Sequence, residues 1–460
     1  MAAAVVWVTA FSLLLVASGK RYEPNWNSLQ SRPLPPWYDE AKYGIFIHWS
    51  VFSVPSYVSA WFWYAWEVQK NPAIVKYMED NFPPGFTYAD FAPMFTTEFF
   101  NADEWVDLFK DAGAKFIVFV TKHHEGYCNW PSKYCWNWNS ADVGPRRDLV
   151  GELASSVRKR SDIHLGLYHS LFEFMNPLFI KDQANNFTTN DFVVTKTMPE
   201  LYELVNKYKP DIVHSDGDWM APDTYWNSTG FLAWLYNDSP VKDTVLVSDA
   251  WGIGCGCKHG GYFTCGDNFN PKTLQKFKFQ NQMSIDKSGW TWRRTAQVGD
   301  FHTVEELITQ LVQTVSCGGN FLMNIGPEKD GTINPIYQER LQQMGQWLRV
   351  NGEAIYATKP WLFQNDTVTP DIWYTAKNMS DGNVAVYAIS LTWPEGGILS
   401  MKDPIPSSST TVSMLGYQGN FDWTPQPLGG MNIYIPPIPF NKLPSKWAWV
   451  FKMENLKNMR

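Results

Sequence analysis

The chain has 460 residues, 45% hydrophobic and 18% charged, with a formal net charge of −7. That length can bury a large core and allows two or three domains, and a negative balance without charge runs argues against nucleic acid or an anionic membrane surface as partner. Aromatic residues make up 16%, with 24 Trp; Trp faces stack on sugar rings, so carbohydrate is a natural ligand class, although core packing accounts for most such residues.

Residues 1–19 form an uncharged apolar run ending in Ala17, Ser18 and Gly19, the layout of a signal peptide cut near Lys20. No later apolar run reaches the roughly 20 residues that span a bilayer, so the expectation is a soluble, secretory chain. Sequons at Asn186, Asn227, Asn237, Asn365 and Asn378 fit that route, with Asn237 the weakest because Pro240 follows it closely. Of the six cysteines, Cys128 and Cys135 share a short loop and are the expected disulfide. Cys255, Cys257 and Cys265 lack zinc-type spacing and a fourth ligand unless His259 serves, so no metal and no cofactor is expected.

In chain order, 43–49 reads as a strand bringing His48 to its end. Ala102 to Gly113 reads as a helix, with a capping Asn, an apolar face of Trp105, Leu108 and Phe109, and a Gly stop. A strand over 116–120 leads into Lys122, His123, His124 and Glu125. Then come a helix over 147–159, a strand over 165–168 ending in His169, and a helix over 199–208. The last feeds the strand of Pro210 to Trp219, PDIVHSDGDW, which delivers His214 and Asp216. A strand needs no carboxylate at its end, and burying an unpaired one costs several kcal/mol or shifts its pKa, so Asp216 caps something or reacts with something. A strand over 245–247 closes with Ser248, Asp249 and Trp251. A helix over 305–315, a strand over 320–326 and a helix over 337–350 complete the series.

Strand then helix, with polar residues at five or more successive strand ends, predicts a (β/α) TIM-like barrel with its chemistry at the C-terminal face; an open doubly wound sheet would concentrate its site at one switch point. Beyond about Tyr356, alternating segments such as 384–389 and 431–435 predict a C-terminal antiparallel β-sandwich, with the prolines of 404–406 and 436–439 at turns or edges. The expected division is 20–355 for the barrel and 356–460 for the sandwich.

The runs GIFIHW (44–49), VPS (54–56), TKHHEG (121–126), WNWN (136–139), RRDLV (146–150), GLYHS (166–170), SDGDW (215–219), KHGGY (258–262), NIGP (324–327) and NGEAIY (351–356) occur in one order. Together they resemble the α-L-fucosidases of glycoside hydrolase family 29, of the animal tissue and plasma type. The resemblance implies a barrel plus β-sandwich, retaining hydrolysis of terminal α-L-fucose, and a secreted or lysosomal setting. It implies fucosylated glycans of glycoproteins or glycolipids as partners, and self-association, since many relatives are tetramers. By the same resemblance Asp216 matches the nucleophile, His48, Trp61, His123, His124 and Tyr168 match pocket positions, and His214 is a further candidate for substrate binding.

The departures from the family pattern matter as much. A Glu before Trp61 is Ala60 here, a Trp before the SDG run is His214, and an Arg before Trp251 is Ala250. A Glu upstream of the Ser284-Ile285-Asp286 run, the implied acid/base, is Gln280. An amide transfers no proton, and general acid/base help is worth about 10²- to 10⁴-fold. The expectation is therefore a weakly hydrolytic or non-hydrolytic protein that still recognises fucose. One alternative is an active enzyme in which Glu173, Asp218 or Asp286 replaces the lost acid; another is a secreted scaffold with no sugar role. No Glu occurs between Gly217 and Gly299, so only Asp residues could supply an acid from that region.

Overall fold

The computed structural model describes residues 20–380 and 382–459; the expected signal peptide lies outside them. Seven parallel strands run β1 (Tyr43–Ile47), β2 (Phe116–Lys122), β3 (His164–Ser170), β4 (Ile212–Asp216), β5 (Leu246–Val247), β6 (Gln280–Ser284) and β7 (Asn320–Ile325). They pair in the order β5-β4-β3-β2-β1-β7-β6. The two edges, β5 and β6, are joined by a segment that is not itself a strand. Gly261 and Tyr262 donate to Val247 O at 3.1 Å, and Gln280 donates to Phe263 O at 2.8 Å. A short stretch of the KHGGY region thus closes the barrel. β6 has no counterpart in the sequence reading, because its run QNQMS is polar where a buried strand is usually apolar.

Strand alternation sorts the side chains. Phe46, Phe116, Val118, Val120, Tyr168, Ile212, Leu246 and Leu322 fill the interior, while Ile45, Ile47, Ile117, Phe119, Leu165, Leu167 and Val213 pack outward against helices. The covering helices carry the local signals that specify them. Ala102–Asp111 is capped by Asn101, Leu149–Arg160 by Asp148 with three basic residues in its last turn, and Val304–Ser316 by a Thr303/Glu306 capping box. In β2 the register slips: Val120 faces Tyr168 but Lys122 faces His169. This bulge at Thr121 adds one residue and reverses the alternation, so Lys122 turns outward.

Beyond the barrel lie two antiparallel sheets. One contains β8 (Lys359–Asn365), β9 (Ile372–Asn378), β10 (Val384–Ser390), β12 (Pro406–Met414) and β15 (Trp449–Leu456); the other contains β11 (Ile398–Met401), β13 (Asp422–Pro425) and β14 (Met431–Tyr434). β10 is buried on both faces. Val384, Val386 and Ala388 meet the small sheet, while Ala385, Tyr387 and Ile389 join the barrel's helical core. Trp347 Nε1 donates to Ala448 O at 3.0 Å, and Thr375 Oγ1 to Ala354 O at 2.7 Å, across that junction. No helix among the described residues is long and apolar enough to cross a membrane.

The cysteines correct the sequence reading. The disulfide joins Cys257 and Cys265, while Cys128 and Cys135 are buried free thiols. Cys135 Sγ is 2.8 Å from Trp138 O and Cys128 Sγ is 3.5 Å from Glu200 Oε1, so both thiols are held by oxygen acceptors.

Candidate active site

A cavity of about 480 Å³ opens at the C-terminal ends of the strands. It is lined by all seven residues singled out in the sequence: His48, Trp61, His123, His124, Tyr168, His214 and Asp216. The bulge at Thr121 is what turns His123 into it. Asp216 ends β4, and Gly217 follows at φ 85°, where a Cβ would meet the Phe172 ring at 2.5 Å. Only glycine takes that left-handed conformation without cost in so close a turn.

Asp216 Oδ2 accepts from Tyr168 OH at 2.5 Å and lies 3.7 Å from His124 Nε2. Burial raises its pKa, while the Tyr168 hydrogen bond, the His123 charge and the Gly217 amide oppose the rise. The imidazoles are oriented from behind. Asn324 Nδ2 donates to Ser284 Oγ and Trp290 O, so its oxygen faces His48 Nδ1 at 2.7 Å and that nitrogen carries the proton. His124 Nδ1 is 2.6 Å from Ser170 Oγ, and His214 Nδ1 is 2.9 Å from Tyr262 OH. Burial pushes His48 and His124 well below the usual histidine value, and His214 to about 3. These three are neutral imidazoles, suited to sugar hydroxyls.

Gln280 does not line the cavity. It is fully buried deeper in the barrel and accepts from Tyr38 OH at 2.9 Å. Tyr38 belongs to the Pro36–Ala41 helix that immediately precedes β1. Two residues further along the same face of β6, Gln282 reaches the cavity wall, and its Nε2 donates to Asp267 Oδ1 at 3.0 Å. Asp267 stands exposed at the cavity mouth, just beyond the disulfide loop. Enclosure by the cavity walls raises its pKa, and so does the charge of Asp216.

Of the three acids named as substitutes, one lines the cavity. Asp218 does, with its pKa raised to about 7 by burial and by Asp216. Asp286 is held by Arg293 through Nε at 2.8 Å and Nη2 at 2.9 Å. Glu173 lies behind the sheet, paired with Lys122 at 3.0 Å and Lys196 at 3.3 Å. Asp249 lines the cavity but is engaged by the disulfide loop. Its two oxygens accept from Thr264 N and Oγ1 at 2.9 and 2.7 Å and from Cys257 N at 2.8 Å. Ala250 lines the wall, Ala60 is buried away from it, and no Lys or Arg lines the cavity among the described residues.

Sequence reasoning missed Asp267, Gln282, Phe46, Trp219 and Trp290. The signal available for Asp267 was the absence of any Glu from 217 to 299, with three cysteines just ahead of it. Trp219, 48% exposed, stacks with Trp61 at 6.2 Å at the rim.

Two family descriptions match in succession, the α-L-fucosidase model over residues 10–353 and the α-L-fucosidase C-terminal domain model over residues 364–454. The human tissue α-L-fucosidase is 55% identical over 438 residues, 95% of this chain and 93% of that one. The rat plasma α-L-fucosidase is 53% identical over 96% of this chain and 98% of its own. The crystal structure of the Thermotoga maritima α-fucosidase in complex with fucose superposes with a TM-score of 0.77 at 29% identity, covering 94% of this chain and 100% of that one. With both domain models matched in order and relatives of this identity along nearly its whole length, the chain belongs to the α-L-fucosidase family.

Proposed function

We propose that this chain is a retaining α-L-fucoside hydrolase in which Asp216 attacks the sugar and Asp267 is the acid/base. The observation that carries this reading is the position of Asp267 at the cavity mouth, held by Gln282, while Gln280 is buried elsewhere. Retaining hydrolysis needs two carboxylic groups on either side of the scissile bond, about 5 Å apart. Asp218 follows the nucleophile on the same strand end, whereas Asp267 arrives from the segment just beyond the disulfide loop and keeps Oδ2 free of hydrogen bonds among the described residues.

In the first step an Asp216 oxygen bonds to the anomeric carbon as the glycosidic C–O bond breaks, and Asp267 gives its proton to the leaving oxygen. In the second, Asp267 takes a proton from water, the water oxygen bonds to the anomeric carbon, and Asp216 leaves as carboxylate. Tyr168 and the Gly217 amide orient the nucleophile. The neutral histidines offer hydrogen bonds to ring hydroxyls without placing a second cation beside an oxocarbenium-like transition state. The substrates in this reading are fucosylated glycans. The apolar leader, the exposed sequons at Asn186, Asn227 and Asn378, and relatives named for tissue and plasma support a secretory route to the lysosome or the extracellular space. A barrel unit of 20–355 and a sandwich unit of 356–460 belong to the same reading.

A second reading, a weakly hydrolytic glycan binder, is favoured by Ala250 and the lack of any cation on the wall among the described residues. Asp267→Asn separates the two. In the first reading it lowers turnover of a natural fucosyl glycan by about 10²- to 10⁴-fold, hydrolysis of an activated aryl α-L-fucoside falls less, and azide restores part of it. Wild-type protein that forms a fucosyl adduct on the Asp216 peptide, yet never turns over the glycan, would establish the second.

A further inference from the structure

The most enclosed part of the cavity is a floor of rings. Phe46, Tyr168 and His214 are each no more than 3% exposed, and Trp290 joins them. Ring centroids lie 5.3 Å apart for Phe46 and His214, 5.8 Å for Tyr168 and His214, and 6.0 Å for Phe46 and Trp290. The other aromatic pair, Trp61 and Trp219, stands at the exposed rim, where the leaving portion of a glycan departs. An apolar substituent on the sugar ring itself therefore has this floor as its enclosed apolar surface, while His48, His123 and His124 supply polar partners for hydroxyls.

Besides Tyr168, whose hydroxyl is spent on Asp216, the floor has one polar member in His214. Tyr262 OH is buried and has no acceptor other than His214 Nδ1 at 2.9 Å among the described residues. The hydroxyl therefore donates to Nδ1, and the imidazole proton sits on Nε2. Nε2 makes no hydrogen bond to protein among the described residues and is not sealed off by protein, so it faces the cavity that His214 lines. A donor in an apolar floor, without a protein acceptor, is a recognition element for a substrate oxygen. The family pattern has Trp at this position, a wider and mostly apolar ring.

We propose that His214 makes this pocket accept a hydroxyl on the substituent that is a methyl group in fucose, so that α-L-galactosides are substrates alongside α-L-fucosides. The proposal rests on the fucose-pocket reading above and adds a second substrate class to it; the glycosidic bond cleaved is the same. An apolar pocket rejects an added hydroxyl by about 10²-fold, and a group placed to bond that hydroxyl removes the penalty.

The test uses the full-length protein, wild type and His214→Trp. It compares kcat/KM for 4-nitrophenyl α-L-fucoside and α-L-galactoside, and dissociation constants for free L-fucose and L-galactose. The expected wild-type preference for fucoside is below about 30-fold, rising to about 10²-fold or more in His214→Trp. A wild-type preference above that limit overturns the proposal, as does a folded His214→Trp whose preference is unchanged. If neither glycoside is hydrolysed, the hydrolase reading fails by itself and the free-sugar ratio is judged by the same limit. Should His214→Trp lose its cooperative melting transition, His214→Phe replaces it and the wild-type ratio still decides.

Discussion

β2 and β3 carry two polar assemblies, one on each face. Inward, His123 and Tyr168 border the cavity beside Asp216; outward, Lys122 and His169 enter a buried cluster with Glu173, Lys196 and Glu200. In the outward cluster two buried lysines face two carboxylates, and His169, which burial pushes down to about 4, joins them as a neutral imidazole. Glu200 Oε2 lies 2.9 Å from Lys122 and 3.1 Å from His169, its Oε1 lies 2.6 Å from Lys196, and Glu173 Oε2 accepts from Asn176 at 2.9 Å. In the cavity, the Nε2 atoms of His48, His123 and His214 have no hydrogen-bond partner among the described residues. The same residue types, one layer apart, therefore serve opposite ends. A network in which the buried lysines and carboxylates pair with each other holds the barrel wall together, although His169 Nδ1 is left without a partner among the described residues; one left open to the cavity is available for substrate.

The largest expected effect breaks the satisfied side. Burial works against the Glu200 carboxylate, but Lys122 and Lys196 hold its pKa well below the usual value. Glu200→Gln leaves Glu173 alone to face the two buried lysines among the described residues, and should cost about 3–5 kcal/mol in denaturant unfolding. Because the folded pKa is depressed, this contribution is fully present above about pH 4.3, the unfolded value, and fades as pH falls through the folded one. Acid titration of wild type and variant should therefore converge only at strongly acidic pH.

Next in size is the disulfide loop, which belongs to the open side. Cys257 and Cys265 enclose a short loop, for which loop-closure entropy gives roughly 2–3 kcal/mol. Cys257→Ser with Cys265→Ser should lower turnover about tenfold or more even at temperatures where the barrel remains folded by circular dichroism, because Asp267 lies just beyond the loop and small misplacements of a reacting group are costly. Unchanged turnover in that double variant would separate the loop from the chemistry and count against Asp267.

The pH profile follows from the raised carboxyl values. In the proposed mechanism turnover needs Asp216 ionised and Asp267 protonated; both Asp216 and Asp267 are raised, and Asp218 is raised to about 7. Activity should rise with pH as Asp216 ionises and fall at higher pH as Asp267 loses its proton. In Asp267→Asn the alkaline limb should disappear for an activated fucoside. The smallest effect is the sharpest discriminator: Gln280→Glu should leave kcat/KM within about threefold of wild type, because residue 280 does not reach the cavity. A large gain in that variant would return the acid role to this position.

Most of the architecture was legible in the sequence because most barrel strands are short apolar runs and the helices carry their caps. The apolar pattern is missing at β6, which reads QNQMS. Its polar side chains bond Tyr38, Asp267, Gln310 and Thr314 instead of packing as an apolar run. Without that strand, residues 280 and 282 could not be told apart, although one lies in the barrel core and the other at the site. Six of the seven residues singled out were legible because each sits at or near a strand end, whereas Trp61, between β1 and the Pro72–Asn81 helix, came from the resemblance alone. Asp267 was not, since it lies in a loop whose path depends on a disulfide and on Asp249. The Cys128–Cys135 expectation failed because proximity in sequence says nothing about which acceptors bury a thiol. Asn237, the weakest sequon, is engaged at both ends: its amide donates to Tyr22 O and accepts from Tyr22 N, each at 2.8 Å.

The barrel closes through Gly261, Tyr262 and Phe263, so its wall has a seam with few rungs, bounded by Val247 on one side and Gln280 on the other. Local opening free energies track how many hydrogen bonds must break together. The amides of Tyr262 and Gln280 should exchange with solvent sooner than those of β1 or β3, in the same event that loosens the Asp267 loop. The acid would then be mounted on the wall's most easily breathing stave, and the rigid staves opposite would hold the nucleophile.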